Sequence, residues 1–124
     1  MKVNFRKFFE KEFHWKTYNC WDFTREVWLD AGGVDIGARQ PKEWTAAGFR
    51  TAFEEQEFEV SGKVVQRLPG PVEPCLTMLT RPGVLSHVGV FSRGSLFHLH
   101  PFKGVVLEPL EIVRMGFNEV RFYR

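Results

Sequence analysis

The clearest periodic pattern in the chain is an apolar stripe that begins at Cys20 and ends just before a pair of glycines. Its members repeat at intervals of three and four residues, the spacing of one helix face. They are Cys20, Phe23, Thr24, Val27, Trp28 and Ala31. Asn19 stands directly before the stripe and Asp22 three residues later, which is the arrangement of a capping box, and Gly32-Gly33 marks the end. We therefore predict a helix whose first residue is Cys20.

Two other segments combine aromatic and charged residues at helical spacing. Residues 3–13 carry four phenylalanines among lysine, arginine and glutamate, and residues 43–57 place Phe49 and Phe53 four positions apart. Residues three or four positions apart lie on one face of a helix. Each segment is therefore predicted to be an amphipathic helix, so that helices dominate the first half of the chain.

From residue 59 onward the pattern changes to short apolar runs bounded by glycine and proline. Such runs are typical of strands joined by tight turns. They cover residues 59–60, 64–65, 75–79, 87–91, 95–99, 104–107 and 119–123, with a turn at Ser92-Arg93-Gly94. Helices followed by strands predict an α+β fold in which N-terminal helices pack on an antiparallel sheet. A chain of 124 residues is expected to form one domain, residues 1–124.

Composition and charge narrow the functional classes. The chain is 44% hydrophobic and contains 13 phenylalanines, which favours a packed core over disorder. A formal net charge of +2, scattered along the chain, is too weak to favour a nucleic-acid partner. No run approaches the roughly 20 apolar residues of a membrane span, and the first residues do not have the pattern of a signal peptide. We therefore expect no membrane span and a protein that is cytoplasmic when synthesised.

Cys20 is the candidate nucleophile because of its place at the predicted helix start. The positive end of the helix dipole favours thiolate over thiol at that position. A thiol nucleophile also needs a base, and His87 and His98 lie on predicted strands joined by the turn at residues 92–95. In such a hairpin one imidazole can take the thiol proton while the second orients the first. The other cysteine, Cys75, is interpreted as structural, and both cysteines are expected to be free thiols.

The same residues carry a resemblance to a known enzyme family. The matching motifs are, in chain order, Asn19-Cys20, His87-Val88-Gly89-Val90-Phe91, Leu96-Phe97-His98 and Gly104-Val105. In this order they resemble the NlpC/P60-type cysteine hydrolases, and in particular the variety found in bacteriophage tail-assembly proteins. The resemblance implies the papain-like NlpC/P60 fold, with helices packed on an antiparallel sheet.

The resemblance also implies a function. Cys20 would be the nucleophile, His87 the general base and His98 the residue that orients the base. Backbone N–H groups at the helix start would hold the oxyanion. Family members hydrolyse bonds of the peptidoglycan stem peptide through a thioester, which makes a cell-wall peptide the expected substrate, with phage tail proteins as expected partners and the virion as an expected location. The resemblance implies neither a metal nor an organic cofactor.

Several alternatives stay open on the sequence alone. His100 shares a strand face with His98, although the Gly-Val pair follows His98 at the interval usual in the family. A zinc site formed by His87, His98 and His100 is a second alternative, although we identify no acidic partner for such ligands. The fold could also serve as a catalytically silent tail-assembly or peptide-binding module, or as a thiol amidase or acyltransferase acting on another substrate.

Overall fold

The protein is organised around an antiparallel β-sheet with its longest described helix packed on one face. The computed structural model describes residues 1–38, 59–60, 63–81 and 87–124. The helices in these ranges are α1 (Cys20–Asp30) and α2 (Leu110–Val113), with short 3-10 turns at Phe5–Lys7 and Arg114–Gly116. The strands are β1 (Glu59–Val60), β2 (Lys63–Val64), β3 (Arg67–Leu68), β4 (Cys75–Thr80), β5 (His87–Ser92), β6 (Ser95–His100), β7 (Gly104–Pro109) and β8 (Glu119–Tyr123).

Six of these strands form one sheet in the order β3-β8-β4-β5-β6-β7, and every pairing in it is antiparallel. Strands β1 and β2 pair separately. The neighbours β4, β5, β6 and β7 follow each other in the chain, as is common for strands joined by short connections. The predicted α+β class with an antiparallel sheet is therefore confirmed. The predicted strands agree with the observed ones to within two residues at each end, and among the strands of the described ranges β3 alone has no predicted counterpart.

Helix α1 begins where the capping signal predicts. The side-chain oxygen of Asn19 accepts the N–H of Trp21 at 3.0 Å and that of Asp22 at 3.4 Å. In return, the Asp22 carboxylate accepts the N–H of Asn19 at 2.9 Å. The reciprocal bonds satisfy donors that a helix start otherwise leaves unpaired. They fix Cys20 as the first residue of α1.

Alternation along the strands divides the side chains between the two faces of the sheet. The first face packs against α1; its cluster includes Trp21, Phe23, Trp28, Met78, Val88, Val90, Phe97 and Leu99. The second face carries another apolar cluster; it includes Cys75, Leu79, Leu96, Leu110 and Phe122. His87 precedes Val88 in its strand, and His98 lies between Phe97 and Leu99. Both histidine side chains therefore belong to the second face, opposite α1.

The predicted helix at residues 3–13 is wrong, because only Phe5–Lys7 forms a 3-10 turn. Three of its four phenylalanines instead pack edge-on against Phe97, with ring centroids 5.0 Å away for Phe5, 6.5 Å for Phe8 and 5.5 Å for Phe9. Contact with the sheet thus covers apolar side chains of this segment without a regular helix, and it buries Phe8 while Phe9 stays half exposed. The predicted helix at residues 43–57 lies outside the described residues.

None of the described helical segments has the length and apolar content that spanning a bilayer demands.

Candidate active site

The β5–β6 hairpin brings His87 and His98 into contact. Its two-residue turn has positive φ at both Arg93 (55°) and Gly94 (77°), as a type I′ turn requires. The carboxylate of Glu73 accepts the N–H of Arg93 at 2.6 Å and thereby supports a conformation that is unusual for arginine. Beyond this turn, Nε2 of His87 lies 2.6 Å from Nδ1 of His98. The predicted hairpin is therefore confirmed, and it joins the two histidines that the sequence singled out.

Gly89 allows the two strands to approach each other closely next to these histidines. A Cβ at this position would lie 2.9 Å from the carbonyl oxygen of Phe97 and 3.0 Å from Cβ of His98. A glycine inside a strand commonly marks such a close approach. The glycine in the His-x-Gly motif therefore has a steric explanation, since any side chain there would push His98 away from β5.

The second ring nitrogen of His98 contacts a residue that the sequence analysis missed. Nε2 of His98 lies 2.9 Å from Oε1 of Glu108. In the register of β6 and β7, Val106 is opposite His98, which makes Glu108 a diagonal neighbour on the same sheet face. The histidines therefore do have an acidic partner, contrary to the expectation from the sequence, and the β6–β7 register places it there. Counting strand positions outward from the turn before Gly104 would have identified Glu108.

His100 has a different role from the one that the sequence left open. Its Nδ1 accepts the backbone N–H groups of Phe102 and Lys103, both at 3.1 Å. These bonds hold the turn between β6 and β7. His98, and not His100, makes the hydrogen bond to His87.

Cys20 begins α1 and its side chain is buried against β5, with 4% exposed. The backbone N–H of Val88 is directed at its sulfur. Pairing between β5 and β6 ends at Val90, so the N–H of Val88 does not donate a ladder hydrogen bond to a carbonyl of β6. Within the described ranges, no hydrogen bond joins the sulfur to His87 or His98. The sulfur thus contacts β5 at the residue after the candidate base, whereas the side chains of His87 and His98 lie on the opposite sheet face. The structure brings the two histidines together but does not bring them to the thiol.

Burial controls the protonation of Cys20. Removal from water raises the pKa of its thiol to about 12, and the nearby Asp22 carboxylate acts in the same direction. The N–H of Val88 opposes this shift but does not overcome it. The expected thiolate is therefore wrong for this conformation, because loss of hydration outweighs the helix terminus. The thiol is protonated at neutral pH.

The two contacting imidazoles are also uncharged at neutral pH. Burial lowers the pKa of His98 to about 3, and the neighbouring His100 and Lys103 act in the same direction. The pKa of His87 lies well below 6.5, first because of burial and then because of His98. The contact between His98 and Glu108 is consequently a hydrogen bond from a neutral ring to a carboxylate, and not an ion pair.

We expect the protein to lose stability as the pH falls below about 6.5, the ordinary histidine pKa. In the unfolded chain His98 takes a proton near that pH, whereas in the folded protein its pKa is about 3. The unfolded state therefore binds more protons between these values, and protonation favours unfolding. His98 alone should lower the free energy of unfolding by about 2 kcal/mol between pH 7 and pH 5. Urea denaturation at the two pH values measures this difference.

Two histidine variants provide the comparison. His98→Gln removes the buried group and should reduce the pH dependence of the unfolding free energy. His14→Gln replaces an exposed histidine outside the site and is the matched control. Unchanged pH dependence in His98→Gln would contradict the prediction.

The zinc alternative finds no support in the side-chain arrangement. Both nitrogens of His98 are hydrogen-bonded, and Nδ1 of His100 accepts two backbone N–H groups. In the part of the chain that the structure describes, no three His, Cys, Asp or Glu side chains are grouped as metal ligands. Cys20 and Cys75 are both free thiols, as expected.

Comparisons of this chain with models of known protein families, with curated proteins and with solved structures found no match. The site consists of a buried thiol at a helix start on one sheet face and a hydrogen-bonded series of two histidines and a glutamate on the other.

Proposed function

We propose that this protein is a cysteine hydrolase that cleaves amide bonds through a thioester formed on Cys20. The observation that carries the proposal is the hydrogen-bonded series of His87, His98 and Glu108, beside the strand residue that the thiol contacts. Because Nε2 of His87 bonds to His98, its Nδ1 is the ring nitrogen left to accept a proton. Nucleophilic catalysis by cysteine requires an oriented imidazole that can reach the thiol, and the hydrogen bonds of this series provide the orientation.

The reaction starts from a neutral thiol and a neutral imidazole. Because the histidine side chains lie on the sheet face opposite α1, the reaction requires a rearrangement in the substrate complex that brings the sulfur within hydrogen-bond reach of His87 Nδ1. Nδ1 takes the thiol proton as the sulfur attacks the carbonyl carbon, and the C=O electron pair moves onto oxygen. The intermediate then breaks its C–N bond, and the amine leaves with the proton from His87. Water that gives a proton to His87 hydrolyses the thioester, which releases a carboxylic acid and restores the Cys20 thiol.

Backbone donors around the sulfur suit the developing oxyanion. The N–H groups of Cys20 and Val88 are both directed at the sulfur. The N–H of Trp21 is already bonded to Asn19, which leaves the other two as the better candidates. Fixed amide donors of this kind stabilise a tetrahedral intermediate where its charge develops.

The proposed substrate class is the peptidoglycan stem peptide. This choice is supported by the resemblance of the cysteine and histidine motifs to NlpC/P60-type hydrolases of the phage-tail variety. The same resemblance supports a papain-like NlpC/P60 fold and an association with phage tail proteins.

A second candidate is a catalytically silent module that binds peptides or tail proteins. It is favoured by one specific observation: the Cys20 thiol is buried, has a pKa of about 12 and makes no hydrogen bond to His87 among the described residues. Such a thiol resembles the buried structural cysteines common in protein cores. The two candidates differ in whether an acyl group is ever attached to Cys20.

Trapping of an acyl-enzyme tests the proposed function. The wild-type protein is mixed with purified stem peptides, quenched in acid and analysed by mass spectrometry for a covalent adduct on Cys20. We expect an adduct in the wild type and acylation slower by about 10²–10⁴-fold in His87→Gln, the usual contribution of a general base. The released amine and carboxylic acid products are measured in the same samples.

The exposed His14→Gln variant is the control for nonspecific effects of histidine replacement. It should acylate at the wild-type rate. Binding of stem peptides without any adduct or cleaved product would contradict the hydrolase and favour the silent module.

A further inference from the structure

Glu108 lies at the end of the histidine series, and both of its carboxylate oxygens have partners. Oε1 is 2.9 Å from Nε2 of His98, and Oε2 is 3.5 Å from Nζ of Lys103. The side chain of Glu108 is 26% exposed and that of His98 is 3% exposed. The carboxylate therefore reaches from the sheet surface to a buried imidazole.

The carboxylate determines which nitrogens of the two imidazoles carry protons. A carboxylate only accepts hydrogen bonds, so Nε2 of His98 must be the protonated nitrogen of that ring. A neutral imidazole has one N–H, which makes Nδ1 of His98 an acceptor. The 2.6 Å contact then requires His87 to donate through Nε2, and its Nδ1 is left without a proton.

We propose that Glu108 is a positioning residue that keeps Nδ1 of His87 unprotonated by fixing the tautomer of His98. The inference rests on the proposed function for its catalytic meaning, since only a base needs that nitrogen free. Without Glu108, His98 can carry its proton on Nδ1 and accept nothing from His87. His87 then exposes an N–H where the thiol proton has to be received, and the site cannot begin the reaction.

The turn between β6 and β7 supports the position of Glu108. His100 accepts two backbone N–H groups of this turn, including that of Lys103, and so holds the backbone from which the Lys103 side chain extends. Lys103 in turn contacts the second oxygen of Glu108. This contact directs the first oxygen toward His98, in the way that outer partners commonly orient a functional carboxylate.

The experiment is a nitrogen NMR measurement of histidine tautomers in the protein without substrate. Long-range couplings between ring carbon-bound protons and ¹⁵N distinguish a protonated Nδ1 from a protonated Nε2. In the wild type we expect both His87 and His98 to be protonated at Nε2. In Glu108→Ala we expect His98 to populate the Nδ1 tautomer and the ¹⁵N signals of His87 to change with it. Glu111→Ala, which removes an exposed glutamate nearby, should leave both rings as in the wild type.

Activity provides the second measurement. Glu108→Ala should lower kcat for stem-peptide cleavage by about 10²–10⁴-fold, the order of magnitude for a base held in the wrong tautomer. Nδ1 protonation of either ring in the wild type, or unchanged tautomers in Glu108→Ala, would overturn the inference. The wild-type spectrum needs no variant to fold. It also needs no catalysis, so a wild type that shows the expected tautomers but cleaves nothing contradicts the proposed function and leaves the tautomer assignment standing.

Discussion

Replacement of Cys20 by alanine is expected to abolish amide hydrolysis while leaving the protein folded. Alanine has no nucleophilic atom, and its side chain fits the buried space that the thiol occupies. Loss of a catalytic nucleophile commonly reduces kcat by about 10⁴-fold or more, which exceeds any other effect on activity that we expect. Stem-peptide cleavage followed by mass spectrometry measures the loss, and circular dichroism checks the fold.

Cys75→Ala is the matched control for this experiment. Cys75 is also a buried free thiol, but it belongs to the apolar cluster on the opposite sheet face. Its replacement should leave kcat within a few-fold of the wild type. Wild-type rates in Cys20→Ala, or a loss of activity shared equally by both variants, would contradict the role of Cys20.

Phe97→Ala is expected to produce the largest loss of stability. Phe97 is fully buried on β6, and its ring meets Phe23 of α1 at a centroid distance of 5.1 Å. It also meets Phe5, Phe8 and Phe9 of the N-terminal segment. Removing a buried phenylalanine leaves a cavity and typically costs about 3–5 kcal/mol of unfolding free energy. Equilibrium denaturation in urea at pH 7 measures the change.

Phe102→Ala is the control, because it removes an aromatic ring that is exposed instead of buried. Phe102 lies in the turn after β6 and is 93% exposed. Its replacement should change the unfolding free energy by less than about 0.5 kcal/mol, as is usual for surface positions. A loss below about 1 kcal/mol in Phe97→Ala would contradict the view that its ring joins the N-terminal segment, α1 and the sheet.

The elements that could be predicted from the sequence are those with strong local signals. The capping box of Asn19 and Asp22 determines the start of α1 within a few residues of chain. The Arg93-Gly94 turn likewise determines how β5 and β6 pair, and thereby brings His87 to His98. These features depend on neighbours in sequence, which is why periodicity and turn chemistry were sufficient.

The parts that could not be predicted depend on contacts between distant segments. The phenylalanines of residues 3–13 have helical spacing, yet three of them pack on Phe97 without forming a helix. Glu108 meets His98 only because of the β6–β7 register. The protonation of Cys20 is set by how deeply α1 is buried against β5, and a motif contains no information about depth. Local sequence could therefore identify the candidate residues but not their electrostatic environment.

The burial of Cys20 also bears on its chemical durability. Oxidation to sulfenic acid proceeds from the thiolate and requires access for the oxidant. With a pKa of about 12, the thiolate fraction of Cys20 at pH 7 is roughly one molecule in 10⁵, and the side chain is 4% exposed. The reaction of Cys20 with peroxide is therefore expected to be slow in the substrate-free protein. We expect Cys20 to be oxidised more slowly than an exposed cysteine with an ordinary pKa.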